Sequence, residues 1–422
     1  MRQVSSENLS LGLLNPEEKA QLKRRQRGGK LLYSLSLIPV ILAVGLIGIL
    51  LTTVFLDSFS WQVIELNNSG KAFKSSEANT WSAVIKADLA AQGQSQSEIE
   101  ALFADKVELD KFAARNRVER VWLPKSIYGD EGGWRFILRN SRDKQVENLG
   151  LFEGRAELPR LASSLKDGQL LILHPWLNIS FLNRNNSGKA WLAGLLTALV
   201  GSLWVIGLVI VISLPIGVGT AIYLEEYAAK NWFSQFIEVN LRNLAGVPSI
   251  VYGILGLYAF VRFLSFGPSI LSAALTLSLL ILPVIVIASR EAIRSVPDSL
   301  RQASYGLGAT KWQTVASVVL PNAVTGIVTG VILAVARALG ETAPLLLVGG
   351  AGFVSQMPKN PLSSYSVLPT QIYSWIGAPD PSFDHVAAAG ILVMMMLLIA
   401  LYVVAFLSAD ALKNGNSLND DF

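Results

Sequence analysis

Long apolar runs alternate with polar stretches along this chain. A helix that crosses a bilayer core needs about 20 mostly apolar residues. Six segments meet or approach that length: Leu31–Leu56, Trp191–Leu224, the shorter Ser249–Leu264, Ser269–Ser289, the long Asn322–Val354 and Val386–Leu407. The first has no small-residue cleavage site after it and reads as a retained helix rather than a secretory signal. A long polar insert, residues 57–189, separates the first two runs. Glu77 to Arg120 is rich in Ala, Leu, Glu and Lys and reads as helical. Trp134–Leu138 and Gln169–His174 read as strands. The pattern predicts an all-α polytopic membrane protein carrying an inserted α+β domain. Its parts are a tail over 1–30, a first span over 31–56, the insert over 57–189, a helical core over 190–408 and a tail over 409–422.

Composition agrees with a membrane chain. Hydrophobic residues make up 51% and charged residues 16%, too little charge to cover a soluble protein of this length. There is no cysteine, which excludes disulfides and thiolate chemistry. His174 and His385 lie far apart in sequence and near no acidic cluster, so they read as packing or solvent-facing side chains rather than metal ligands. The net charge is +4, which gives no reason to invoke nucleic acid.

Lys and Arg set the expected orientation, because they accumulate in cytoplasmic flanks. Lys23, Arg24, Arg25, Arg27 and Lys30 precede the first span, and Arg290, Arg294, Arg301 and Lys311 follow the fourth. The opposite short loops carry only Arg262 and Lys359. Both termini are therefore expected in the cytoplasm and the insert outside it. Asn-Asn-Ser-Gly-Lys-Ala occurs at Asn67–Ala72 and again at Asn185–Ala190. Neither copy has the upstream glycine or leading strand of a phosphate loop, so both read as turns. No such loop occurs elsewhere, and the chain is not expected to be its own ATPase.

The segment Glu291–Pro321 is the most informative. Ser295 with Asp298 resembles a capping box with Pro297 in its first turn, and Thr310 with Gln313 makes a second. Gly306 and Gly308 would break the intervening helix. Two short helices with a glycine elbow are expected. The spacing resembles the EAA loop of ABC importer permeases: Gln302, Ala303 and Ser304 stand for its Glu-Ala-Ala triplet, Gly308 for its glycine, Val318 for its isoleucine, and Leu320 and Pro321 close it. Gln for Glu, Ser for Ala and Val for Ile are departures. The resemblance implies that residues 290–318 dock into a separate ATPase and couple its closure to the membrane helices.

Arg337 and Glu341, four residues apart in the fifth run, share a face of a continuous helix. The apolar run ahead of Arg337 spans about 15 residues, roughly 22 Å, less than a bilayer core of about 30 Å. The pair is therefore expected within the membrane or near its far boundary, facing protein or water. It either locks helix packing or lines an anion pathway. Gly340 and Pro344 would loosen the helix beyond it, and Pro248 would break the chain ahead of Ser249.

Tyr223–Tyr227, Asn243–Gly253, Arg337–Pro344 and Pro369–Trp375 together resemble the PstA family of phosphate ABC transporter permeases, over about Trp191–Leu407. The resemblance implies a MetI-like core that admits phosphate by alternating access. It also implies a second homologous permease, an ATPase dimer that binds ATP and Mg²⁺, and an extracytoplasmic phosphate-binding protein. This chain itself would need no cofactor and no metal. Arg337 and Glu341 carry over as pathway residues in an inner (plasma) membrane. Ser249 reads either as a polar neighbour of that pathway or as packing. Glu225 and Glu226 could anchor the cytoplasmic end of the second span, but read more readily as a solvated helix end. A permease for sulfate or molybdate, a secondary transporter or channel, and a membrane-anchored enzyme are the competing readings.

Overall fold

A computed structural model describes residues 16–65, 73–74, 95–104, 116–140, 144–166, 169–229, 231–350 and 352–417. The chain divides into two compact units, Met1–Leu56 and Asp57–Phe422. The first is built on one helix, α1 (Pro16–Asp57), of which Leu37–Asp57 is long and apolar enough to cross a bilayer.

The second unit opens with a six-stranded sheet. Its strands are β1 (Phe59–Glu65), β2 (Phe73–Lys74), β3 (Asn116–Leu123), β4 (Gly133–Asn140), β5 (Lys144–Gly150) and β6 (Gln169–Pro175), in the order β2-β4-β3-β6-β1-β5. The paired strands run antiparallel. Helix α2 (Gln96–Ala104) lies between β2 and β3, and α3 (Leu151–Ser164) follows β5. The two expected strand segments fall within β4 and β6. Asn116–Arg120 is strand rather than helix, because Val118 and Val121 belong to a run that pairs with β4 along its whole length. Of the expected helix over Glu77–Arg120, residues 77–94 and 105–115 lie outside the described residues. Strand side chains alternate between faces. Trp61 and Val63 pack with Leu161 of α3 and with Leu171, while Ile64 packs with Val121, Leu123 and Ile172.

The helical core contains α4 (Leu196–Tyr227), α5 (Trp232–Ala245), α6 (Ser249–Phe263), α7 (Ile270–Arg294), α8 (Asp298–Gly306), α9 (Lys311–Gly340), α10 (Leu368–Ile376) and α11 (Ser382–Ser417). Together with α1, five helices among the described residues are long and apolar enough to span a membrane, or six if the bent pair α5–α6 counts as one span. The third expected span is therefore only one arm of a broken element, whose arms meet at 101°. Pro248 causes the break: it disfavours helical backbone at Val247 and brings no N–H of its own. The second span starts at Leu196 rather than Trp191, since Ala190–Leu192 is a short 3₁₀ turn.

The fifth expected span also needs correction. Residues 322–354 are not one helix: α9 begins at Lys311 and ends at Gly340. Pro344 lacks the N–H that would bond the Gly340 carbonyl, so the helix stops there. The chain turns through Ala343–Leu345 and Leu346–Gly350 and folds back onto α6 and α7. Tyr365, fully buried, donates to the Leu345 carbonyl at 3.2 Å and fastens this return.

Helix α7 is the centre of the core. In its apolar window 67% of residues are buried, against 28% for α4 and 33% for α9. It packs on α4, α9, α6 and α5. The α7–α9 crossing is close because α9 carries Gly326 and Gly330 one turn apart. They oppose Ala292 and Ala288 of α7, the small-residue spacing that lets helix backbones approach.

Replacing Gly330 with Val is expected to force the crossing apart, because a Cβ there lies 2.5 Å from the Ala288 Cβ. The expected loss is about 1–3 kcal/mol, read as a lower thermal midpoint of the detergent-solubilised protein. Gly207→Ala, with open space around it, should not lower the midpoint.

Candidate functional site

Two charged constellations stand out in the helical core. The first surrounds α8. Helix α7 runs to Arg294, the chain turns at Ser295–Pro297, and α8 follows. The expected Ser295 capping box does not form. Ser295 Oγ donates instead to the Ala292 carbonyl at 2.8 Å, and Pro297 stands at the N-cap without a side-chain bond. The Thr310–Gln313 box does form. It opens the 30-residue helix α9 rather than a second short helix. Gly306 is the last residue of α8, and Gly308 takes φ +82°, the left-handed backbone that favours glycine. Gln302 and Ala303 are exposed on α8. Leu300, Tyr305, Leu307 and Trp312 are exposed too, and Leu307 is 91% accessible. Leu320 and Pro321 lie further along, inside α9. The wider π-turn Val315–Val319 precedes them and makes room for the proline ring.

Below α8 lies a network of ion pairs. Glu225 accepts from Arg290 Nη2 at 3.2 Å and from Arg294 Nε at 3.0 Å. Arg290 Nη1 also approaches Glu238 of α5 at 3.5 Å. Arg301 Nη2 donates to Glu226 at 3.0 Å. The solvated-end reading of Glu225 and Glu226 is thereby overturned: their side chains are only 17% and 7% exposed. The sequence pointed to these residues but not to their pairing. The signal present was the pair of acids at the end of one apolar run and the basic cluster at the end of another. Lys311 Nζ lies 5.1 Å from the centre of the Tyr227 ring, and Ser304 Oγ is 2.9 Å from Thr314 Oγ1. Both contacts tie α8 and the start of α9 to neighbouring turns.

The second constellation is at the other end of α9. Arg337 is in its last turn, and Glu341 is the C-cap residue with ψ 114°, already off the helix. The two still meet, Nε to Oε1 at 3.4 Å. The Arg337 side chain is 53% exposed and that of Glu341 18%. Helix α9 is about 45 Å long at the helical rise, so the pair sits near the end of a complete crossing. Ser249 is the first residue of α6 and half-buried. No hydrogen bond joins it to Arg337 or Glu341 among the described residues. Among the described residues the histidines form no cluster with acidic groups. His174 is buried against Trp176 at 4.8 Å between ring centres, and His385 stacks on the same ring at 6.3 Å.

Comparison with known proteins adds the following. The family described as binding-protein-dependent transport system inner membrane component matches residues 213–415. The probable ABC transporter permease protein YqgI of Bacillus subtilis is 38% identical over 174 residues, covering 41% of this chain and 59% of that protein. The phosphate transport system permease protein PstA 1 of Mycobacterium tuberculosis is 44% identical over 157 residues, covering 37% of this chain and 51% of that protein. The PstA protein of Haemophilus influenzae is 32% identical over 230 residues, covering 54% and 80%. The chain thus spans little more than half the length of the first two relatives.

Gly308→Val is expected to strain the elbow by about 1–2 kcal/mol, since a β-branched residue resists left-handed backbone. Hydrogen exchange should rise across 298–314 while α7 stays protected.

Proposed function

Because the chain belongs to the PstA family of binding-protein-dependent transport system inner membrane components, we propose that it is the permease subunit of an ATP-driven importer of inorganic phosphate. The observation that carries the substrate reading is Arg337. It is half-exposed at the end of a membrane-length helix and only loosely held by Glu341. An ionised guanidinium facing hydrocarbon costs about 2.5 kcal/mol or more. That cost is avoided if a second, homologous permease covers this surface and a watery pathway runs between the two. In such a pathway Arg337 attracts the anion. Glu341 tempers the attraction, because transport needs binding weak enough for release. Ser249, at the Pro248 break, is a polar neighbour of that route. Gly340 and Pro344 free the backbone groups that line it.

The other constellation serves the motor. Gln302, Ala303, Gly306 and Gly308, with the exposed apolar side chains around them, form the face that a separate ATPase dimer grips. Leu320 and Pro321 anchor the base of that knob in α9. ATP and Mg²⁺ bind in that partner, and this chain needs no cofactor of its own. In this reading both termini and α8 face the cytoplasm, as the Lys and Arg distribution favours. The insert over 57–189 faces outward, where a soluble phosphate-binding protein delivers the substrate to the core over 190–408.

Arg337→Gln is expected to abolish phosphate uptake while the complex still assembles, measured by radiolabelled uptake in cells lacking the native subunit and by co-purification of the partners. Uptake at the wild-type rate would remove Arg337 from the pathway. In the same cells sulfate and molybdate uptake should be unaffected by loss of this chain; loss of either instead of phosphate would reassign the substrate.

A further inference from the structure

We infer that Arg301, held by Glu226, is the positioning residue that makes α8 mechanically continuous with the membrane helices. The inference rests on the proposed permease reading. A guanidinium carries five N–H donors, and Arg301 uses five. Its Nε and Nη2 donate to Glu226 Oε1 at 3.2 and 3.0 Å. Nη2 also donates to the Ile293 carbonyl at 2.9 Å. Nη1 donates to Asp298 Oδ1 at 3.0 Å and to the Val296 carbonyl. These acceptors belong to three places: the last turn of α4, the C-terminal end of α7 with the turn that follows it, and the first residue of α8. One side chain therefore pins α8 to two membrane helices at once.

The covalent route is weaker. On one side α8 joins α7 through the short turn Ser295–Pro297. On the other it joins α9 through Leu307–Thr310, where Gly308 is left-handed. Glycine permits wide backbone freedom. A push on α8 delivered only through these links would be taken up as rotation of the knob. Through Arg301 the push reaches Glu226 and hence α4, and reaches the carbonyls that end α7. The pair is shielded, with Arg301 13% and Glu226 7% exposed. Exposed pairs contribute about 0–1 kcal/mol, but a buried pair that loses one partner leaves a charge stranded. The joint is therefore stiff. The neighbouring Glu225–Arg290–Arg294 group ties α4 to α7 and, through Glu238, to α5, and does not touch α8.

The test uses the complete complex in proteoliposomes and reads phosphate moved per ATP hydrolysed. Lysine offers three donors where Arg301 uses five, so Arg301→Lys is one variant. Glu226→Gln, which keeps the shape and removes the charge, is the second. The double variant E226Q/R301Q leaves no lone buried charge and guards against misfolding of the single ones. Each is expected to lower the transport ratio by about tenfold, with ATPase subunits co-purifying at wild-type levels. A wild-type ratio in the double variant overturns the inference. Loss of ATPase co-purification also overturns it, since the pair would then serve docking. A wild-type complex that hydrolyses ATP but moves no phosphate overturns the permease reading and, with it, the inference. The absence of cysteine allows a second readout that needs no partner. Spin labels at Leu307→Cys and Tyr223→Cys should give a narrow distance distribution, broadened in E226Q; an unchanged width overturns the stiff joint.

Discussion

An ionised side chain cannot face hydrocarbon, and that single constraint organises the helical core. Charge is absent from most of α4, α7 and α9 and gathers where the helices end. At one end Glu225, Glu226 and Glu238 meet Arg290, Arg294 and Arg301. At the other, Arg337 meets Glu341. The two ends are built differently. The first is an interlocked, mostly shielded network joining four helices. The second is one long contact, left half-open to the surroundings. The closed network holds the helix ends together, and the open pair leaves the Arg337 guanidinium half-exposed.

Between these ends, packing depends on small side chains. Helices associate in lipid without a hydrophobic driving force, so close contact must supply the attraction. Ala288 and Ala292 against Gly330 and Gly326 provide it for α7 and α9. The same close fit recurs where α6 meets the returning segment: a Cβ at Gly253 would lie 2.6 Å from the Pro344 Cα. Pro344, just beyond the break that ends α9, is thus covered by backbone from the same chain, as irregular backbone at membrane depth favours.

The insert is mounted on this core by side chains. Trp176 donates to Ser60 Oγ at 2.8 Å and packs in a cluster with Trp191, Leu195, Trp375 and Phe383. Trp375 donates to Asn186 at 3.3 Å, and Gln145 donates to Ser382 at 2.7 Å. The sheet is therefore fastened to the starts of α4 and α11 and to α10.

Much of this was legible in the residues. Apolar runs located the membrane-length helices, since burial in lipid needs only length and composition, but not the break ahead of α6 or the end of α9 at Gly340. Thr310, Gln313 and Gly308 located the elbow, since caps and left-handed turns are local choices. What followed from neighbours in space was not legible. Ser295 competed for a backbone carbonyl instead of capping. A strand at Asn116–Arg120 won over helical composition because β4 lay beside it. Glu225 and Glu226 looked like a solvated end because their partners lie 65 to 75 positions away. Local residue choices specified a membrane chain with a glycine elbow and an arginine near a helix end. Only the tertiary structure decided which charges pair and where α9 stops packing as one helix. Pairing at that separation is set by which helices cross, and no local periodicity encodes that choice.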